Sequence, residues 1–280
     1  MLLLKSLLVL CTATAVLASD KINAVSSVGY FNGVDTSDHD ATGVPVFADR
    51  KNHGPAVASI VQHCAAFNNF KPAELGVGVA PWTYEYFVRL LDMFPSLTKT
   101  ASEVARLDLI GTTDQLVEEI EYLYDNFEKE ETYPVDSQVA QNFRQLIPQT
   151  LDYPEQNVWL LSQVAIHQGR DFDKYRIELT RVTLRLSENE ETGEAAIEEQ
   201  STTFSREVFT VDTDWMTDNA EFLANEVKTV SVEAATSYLT TKASRRDELF
   251  DQQVSFCERP EQKQYGFYGR SRFNLQKLRL

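Results

Sequence analysis

VWLLSQVAIHQGRDFDKYRIELTRVTLRLSENE, residues 158–190, decides the fold class. Val158, Leu160, Val164 and Ile166 recur at period two, the signature of a strand with one face buried. Gln168-Gly169-Arg170-Asp171 is a glycine-containing connection, so the chain turns back on itself there. Tyr175, Ile177 and Leu179 then alternate with Lys174, Arg176 and Glu178. After Thr180-Arg181 the phase flips, and Val182, Leu184 and Leu186 become the apolar set. A one-residue shift moves side chains to the opposite face, so the flip predicts a β-bulge or sharp bend at that point. A polar turn with Glu188, Glu190 and Glu191 follows, and a further strand runs over about Thr202 to Val211.

Upstream the period changes to that of helices. One opens at Pro55, with Val57, Ile60, Val61, Cys64 and Phe67 on its apolar face. A second takes Thr83 as N-cap, carries Phe87, Leu90, Leu91 and Phe94, and stops at Pro95. Thr112 and Gln115 form a capping box for a third, with Leu116, Ile120, Leu123 and Phe127 inward and an acidic outer face. The fourth is capped by Asp136, buries Val139, Phe143, Leu146 and Ile147, and is expected to break at Pro148. A short strand is expected around Val25 to Phe31, and a helical pattern returns from Asp214 through Trp215, Leu223 and Val227. Hairpin-linked strands with amphipathic helices clustered before them predict a single α+β domain: helical hairpins on a curled antiparallel sheet.

The two ends read differently from this body. Lys5, the apolar run Leu7 to Leu10 and the small exit residues up to Ala18 are expected to be a secretory signal peptide, residues 1–18, cleaved after Ala18. That run is shorter than the roughly 20 residues a membrane span needs. The domain then covers 19–243 and the protein is expected outside the cell. Residues 244–280 form a basic extension: Arg259, Lys263, Arg270, Arg272, Lys277 and Arg279 stand against Glu261 alone between Arg259 and Leu280. Arg245-Arg246 is a dibasic processing candidate, with an ordinary exposed charge pair as the plainer reading. Such a tail on an acidic body either folds back onto it or reaches for a partner, and folding back is the plainer expectation.

Acidic residues outnumber basic ones 42 to 26, for a formal charge of −16, which excludes nucleic acid as a partner and disfavours docking on anionic lipid. Apolar residues make up 43%, enough for a substantial core. With Cys11 lost in the signal, Cys64 and Cys257 remain. An oxidising compartment would pair them, stabilising by roughly 4–5 kcal/mol in the chain-entropy model. Cys64 equally fits a core position on an apolar helix face.

Chemistry is hard to find. Gly76-Val77-Gly78 lacks the third glycine of a dinucleotide loop, and no serine-hydrolase elbow or phosphate loop is present. His63 and Cys64 are adjacent on a helix and point about 100° apart, so they do not converge on one ligand. His39, His53 and His167 are likewise unpaired in spacing. The expectation is a protein without catalytic residues, metal or cofactor.

The order of parts, two helical hairpins joined across Thr132-Tyr133-Pro134 and then the strands Val158–Ile166 and Tyr175–Leu186, resembles the Cyt-type cytolytic δ-endotoxins of bacteria and their fungal relative volvatoxin. The likeness spans roughly Ala56 to Ala224. It implies helix hairpins flanking one central sheet, and a toxin or virulence protein that releases its helices so that sheet or helix surfaces enter a target-cell lipid membrane, with possible self-oligomerisation. The strands holding Val158 to Leu186, and Thr203 to Val211, are then the candidate membrane-active surfaces. Arg176, Glu178, Arg181 and Arg185 would have to face a lumen or water. The competing expectation is a secreted, non-enzymatic effector that uses the sheet as a binding platform.

Overall fold

The computed structural model describes residues 24–34, 44–75, 80–107, 112–127, 138–151, 158–169, 174–188, 195–197 and 202–241. The signal peptide with Ala18, the connections at 76–79 and 128–137, Asp136, Arg245-Arg246, Cys257 and the whole extension lie outside these residues.

The elements follow the chain as strand β1 (Ala24–Asn32), helices α1 (Gly54–Phe67), α2 (Pro72–Leu75) and α3 (Pro81–Met93), and strand β2 (Leu97–Leu107). Helices α4 (Thr113–Phe127) and α5 (Gln138–Leu151) precede strands β3 (Val158–Gln168), β4 (Tyr175–Glu188), β5 (Ala195–Ile197) and β6 (Thr202–Val211). The short helices α6 (Thr213–Asp218), α7 (Ala220–Glu226) and α8 (Val232–Leu239) close the described chain.

Local chemistry sets most boundaries. The Thr112–Gln115 capping box forms as expected: the Gln115 N–H donates to Thr112 Oγ1 at 3.2 Å and the Thr112 N–H to Gln115 Oε1 at 3.1 Å. Asp212 and Ser231 cap α6 and α8 through the amides of Trp215 and Ala234. Thr83 is not the cap of α3. That helix begins two residues earlier at Pro81, whose fixed φ and missing N–H suit the first turn, and the Thr83 hydroxyl instead donates to the Ala80 carbonyl at 2.6 Å. Helix α5 runs on past Pro148 to Leu151.

The sheet order is β1-β3-β4-β6-β2, with β5 pairing β4 alongside. The hairpin pairs are antiparallel as expected, but β1 lies parallel to β3, so the sheet is mixed. Among the described residues, five α-helices, a short 3-10 helix (Val46–Ala48) and β2 intervene between β1 and β3, more than the crossover a parallel neighbour requires. The expected bulge at Thr180–Arg181 is not formed. Pairing runs unbroken from Val158↔Arg185 to Gln168↔Tyr175, and equally between β4 and β6. The phase of the sequence flips because the covering helices change face. Tyr175, Ile177 and Leu179 meet α1, α3, α6 and α7 on one side; Val182, Leu184 and Leu186 meet α4 and α5 on the other. The one shift in the main sheet falls in β2, between Lys99 and Ala101.

The result is three layers with two main cores placed diagonally across one sheet, and a small third cluster of Ala58, Val232 and Ala235. The first joins Leu160, Val164, Ile166, Ile177 and Phe209 to Ile60, Cys64, Phe87, Leu91 and Leu223. The second joins Trp159, Leu161, Val182, Leu184 and Phe204 to Leu116, Ile120, Phe143 and Ile147.

Candidate functional site

All ten strand residues singled out from the sequence are buried, none more than 5% exposed. The fold does not bring them to one surface. Leu160, Val164, Ile166, Tyr175, Ile177 and Leu179 lie in the first core, and Val182, Leu184 and Leu186 in the second; Val158 is buried at the start of β3. Each face of β4 is therefore apolar over one half and polar over the other.

The polar halves meet across the middle of the sheet. On the α4–α5 side, Glu178 sits with both oxygens engaged. Arg206 Nε donates to Oε1 at 3.0 Å and Arg206 Nη2 to Oε2 at 3.2 Å; Arg176 Nη2 lies 3.5 Å and His167 Nε2 3.7 Å from Oε2. Arg206 reaches on to Glu103 of β2 at 3.2 Å. Glu178, His167, Arg176 and Arg206 are all buried. Burial pushes the Glu178 carboxyl up, but the Arg206 hydrogen bonds and the charges of Arg206, His167 and Arg176 outweigh it and hold the group below its ordinary range. A carboxylate so fully engaged is held as an ion, not offered as a base. On the opposite side, Arg181 donates to Ser205 Oγ at 2.9 Å and pairs with Glu85 of α3. Of the four charged strand residues expected to face water, Arg176 and Glu178 are thus locked inside the sheet and Arg181 is tied to the α3 layer. The pairing of His167 with Arg176 across the hairpin, and of Arg206 beside Glu178, was hidden because it depends on register and on β6 lying next to β4.

Helices α4 and α5 form the lid over the second core. They are joined by Arg144 and Asp114 at 2.6 Å, an exposed pair, and α5 is fixed to the sheet by the Asn142 amide donating to Gln163 Oε1 at 2.7 Å in a buried setting. Their inward faces are Leu116, Val117 and Ile120, and Val139, Phe143, Leu146 and Ile147; outward stand Glu118, Glu121 and an exposed Tyr122. Among the described residues no helix is long and apolar enough to cross a membrane, and no group of three or more His, Cys, Asp or Glu is placed to hold a metal ion.

Cys64 is a buried free thiol in the first core, pushed well above the ordinary range by burial. Its proposed partner Cys257 is outside the described residues. His63 is lowered by burial, an effect partly opposed by the charge of Glu226.

Central sheet, flanking helices and a helical-hairpin lid place the chain among three-layer α+β proteins. No family model matches the sequence, and no curated protein matches it. Among solved structures it is similar to a δ-endotoxin, at 8% identity and TM-score 0.34, with 83% of this chain and 87% of that chain covered. It is also similar to the Evf virulence factor, at 12% identity and TM-score 0.35, with 82% and 83% covered. A third is the activated Cyt2Ba monomer from Bacillus thuringiensis subsp. israelensis, at 10% identity and TM-score 0.33, with 67% and 96% covered. A δ-endotoxin and a Cyt-type toxin are among these structural neighbours.

Proposed function

We propose that the chain is an exported, membrane-perturbing protein of cytolysin type that acts without catalysis, and that its working part is the α4–α5 hairpin together with the sheet half-face beneath it. The observation that carries this is the second core. An amphipathic hairpin covers Trp159, Leu161, Val182, Leu184, Leu186 and Phe204, and both the lid and the sheet contribute large apolar side chains to the cluster. Lifting the lid into water would expose seven large apolar side chains of the hairpin alone, at about 1.5–3 kcal/mol each. The sum, about 10–21 kcal/mol, is as large as or larger than the roughly 5–15 kcal/mol stability of a typical domain. At a lipid interface the same faces find an apolar medium, so opening becomes feasible there and not in solution.

The diagonal arrangement favours lid release over a barrel wall. A lipid-facing strand needs one apolar face about 25 Å tall. On β4 the run Tyr175, Ile177, Leu179 continues as Arg181, Thr183 and Arg185 on the same face, and Val182, Leu184, Leu186 is preceded by Arg176, Glu178 and Thr180. In this reading the strands act as the uncovered surface. A zwitterionic target membrane suits a chain of formal charge −16 better than an anionic one.

Release of an entrapped dye from phosphatidylcholine vesicles tests the reading, with intact protein and with protein trimmed by limited proteolysis near Arg245-Arg246. Release at micromolar protein is expected. Absence of release in both forms overturns the proposal.

A further inference from the structure

Asn32 is the only asparagine of the sequence that is followed by glycine. The pair stands where β1 ends, with Asn32 its last residue. The side-chain amide carbon of an asparagine is open to attack by the backbone nitrogen of the next residue. Glycine obstructs that attack least, because it has no Cβ beside the attacking nitrogen.

The fold leaves the Gly33 nitrogen outside the ladder that holds β1. The Ser27 N–H donates to Thr241 Oγ1 at 2.9 Å and the Gly29 N–H to Thr240 Oγ1 at 3.0 Å, both on the side away from β3. The Thr241 N–H in turn donates to the Ser27 carbonyl at 2.8 Å. Alternate residues of a strand send their backbone groups to the same side, so the Gly33 N–H is turned away from β3 as well. Gly33 is exposed and has φ +68°, a left-handed conformation that glycine adopts without strain and that ends the strand in a bend. Asn32 is half-buried. It shares a face of β1 with Val28, which packs against the second core, and its register partner on β3 is His167. The same row continues to Arg176 of β4, and His167 Nε2 lies 3.7 Å from Glu178 Oε2.

We infer that Asn32-Gly33 is a self-modifying site, where Asn32 deamidates to aspartate and isoaspartate. The Gly33 nitrogen gives its proton to hydroxide and attacks Asn32 Cγ. The new N–Cγ bond closes a succinimide ring, and the side-chain nitrogen takes up a proton and leaves as ammonia. Water then opens the ring. Breaking the new N–Cγ bond gives aspartate with the original backbone; breaking the bond between the Gly33 nitrogen and the Asn32 main-chain carbonyl carbon gives isoaspartate. The sum is one water consumed and one ammonia released, with no change of oxidation state. Either product adds a carboxylate at the end of the Asn32–His167–Arg176 row. Isoaspartate also lengthens the backbone by a methylene, so the Asn32↔His167 pairing loses its place. The extended backbone of β1 opposes ring closure, which therefore waits on fraying of the strand's last residue. Strand ends open at much lower cost than the core, so the native chain still converts. This inference does not depend on the membrane reading, since the conversion is read without lipid.

The test ages the full chain, native and urea-unfolded, at mildly alkaline and at mildly acidic pH in water enriched in heavy oxygen. Proteolytic peptides are followed by mass spectrometry, and isoaspartate by enzymatic methylation. The peptide holding Asn32 is expected to gain label from the water as both isomers, faster at the alkaline pH and ahead of every other asparagine in the native protein. The unfolded chain converts faster still at this position and serves as the clock. Asn32→Gln, whose longer side chain cannot close the same ring, is expected to lose the signal. An Asn32 still intact in the native chain when the unfolded one has converted overturns the inference. So does another asparagine converting first, product without isoaspartate, or a rate that does not rise with pH.

Discussion

Glu178→Gln removes one negative charge from a site that holds two guanidinium groups and an imidazole, and changes the side chain's shape very little. In the wild type both carboxylate oxygens are engaged, at 3.0 and 3.2 Å by Arg206 and at 3.5 Å by Arg176, and the carboxylate is fully buried. The variant leaves Arg206 with Glu103, which is less buried, as its remaining carboxylate at hydrogen-bonding distance among the described residues. Removing one member of a buried pair typically costs about 3–5 kcal/mol, chiefly because the other charge stays buried without compensation. For a chain of this size that lowers Tm by roughly 6–20 °C. Urea unfolding at pH 7 reads the cost directly. The pH dependence gives an independent check. Because the folded carboxyl titrates below its ordinary value, its contribution is complete above the ordinary carboxylate range. It is lost as pH falls through the depressed folded value. Wild type should therefore lose stability on acidification below about pH 4.5 more steeply than Glu178→Gln. A cost under about 1 kcal/mol, with parallel acid limbs, would refute the picture of a dry, mutually dependent cluster.

Other substitutions test separate links. Phe143→Ala empties part of the lid core and should cost about 3–5 kcal/mol by urea unfolding. Thr112→Ala breaks the capping box of α4 and should cost about 0.5–2 kcal/mol, with the loss of exchange protection confined to the first turn. Arg144→Ala removes an exposed pair between α4 and α5 and should change stability by no more than about 1 kcal/mol. Cys64, buried and raised in pKa, should resist iodoacetamide in the native protein and react once urea is added; rapid native labelling would contradict its place in the core.

Strands β3 and β4 are legible because period-two alternation is a local signal, and α4 is legible because Thr112 and Gln115 satisfy each other's amides within one turn. The switch of phase after Arg181 is equally local, but two physical causes share it. A bulge and a change in which face is covered produce the same string, and only the unbroken register separates them. The parallel seat of β1 beside β3 leaves no mark in the sequence, since the intervening crossover is long and of mixed character. Arg176 and Glu178 read as a solvated face because charges usually are one. Their burial requires His167 and Arg206, which arrive from two other strands. Thr240-Thr241 escape notice for a similar reason: hydroxyls that end a sheet edge look like any polar stretch after a helix.

Trp159 offers the most direct test of the lid, because it is fully buried in the core that α4 and α5 cover. In a protein carrying Trp82→Phe and Trp215→Phe, its fluorescence is followed on phosphatidylcholine vesicles bearing brominated acyl chains, alongside dye release. Lid opening at the interface predicts that Trp159 is quenched by the bromines as the vesicles leak, and not by soluble quencher in the absence of lipid. Leakage with Trp159 still shielded would contradict it.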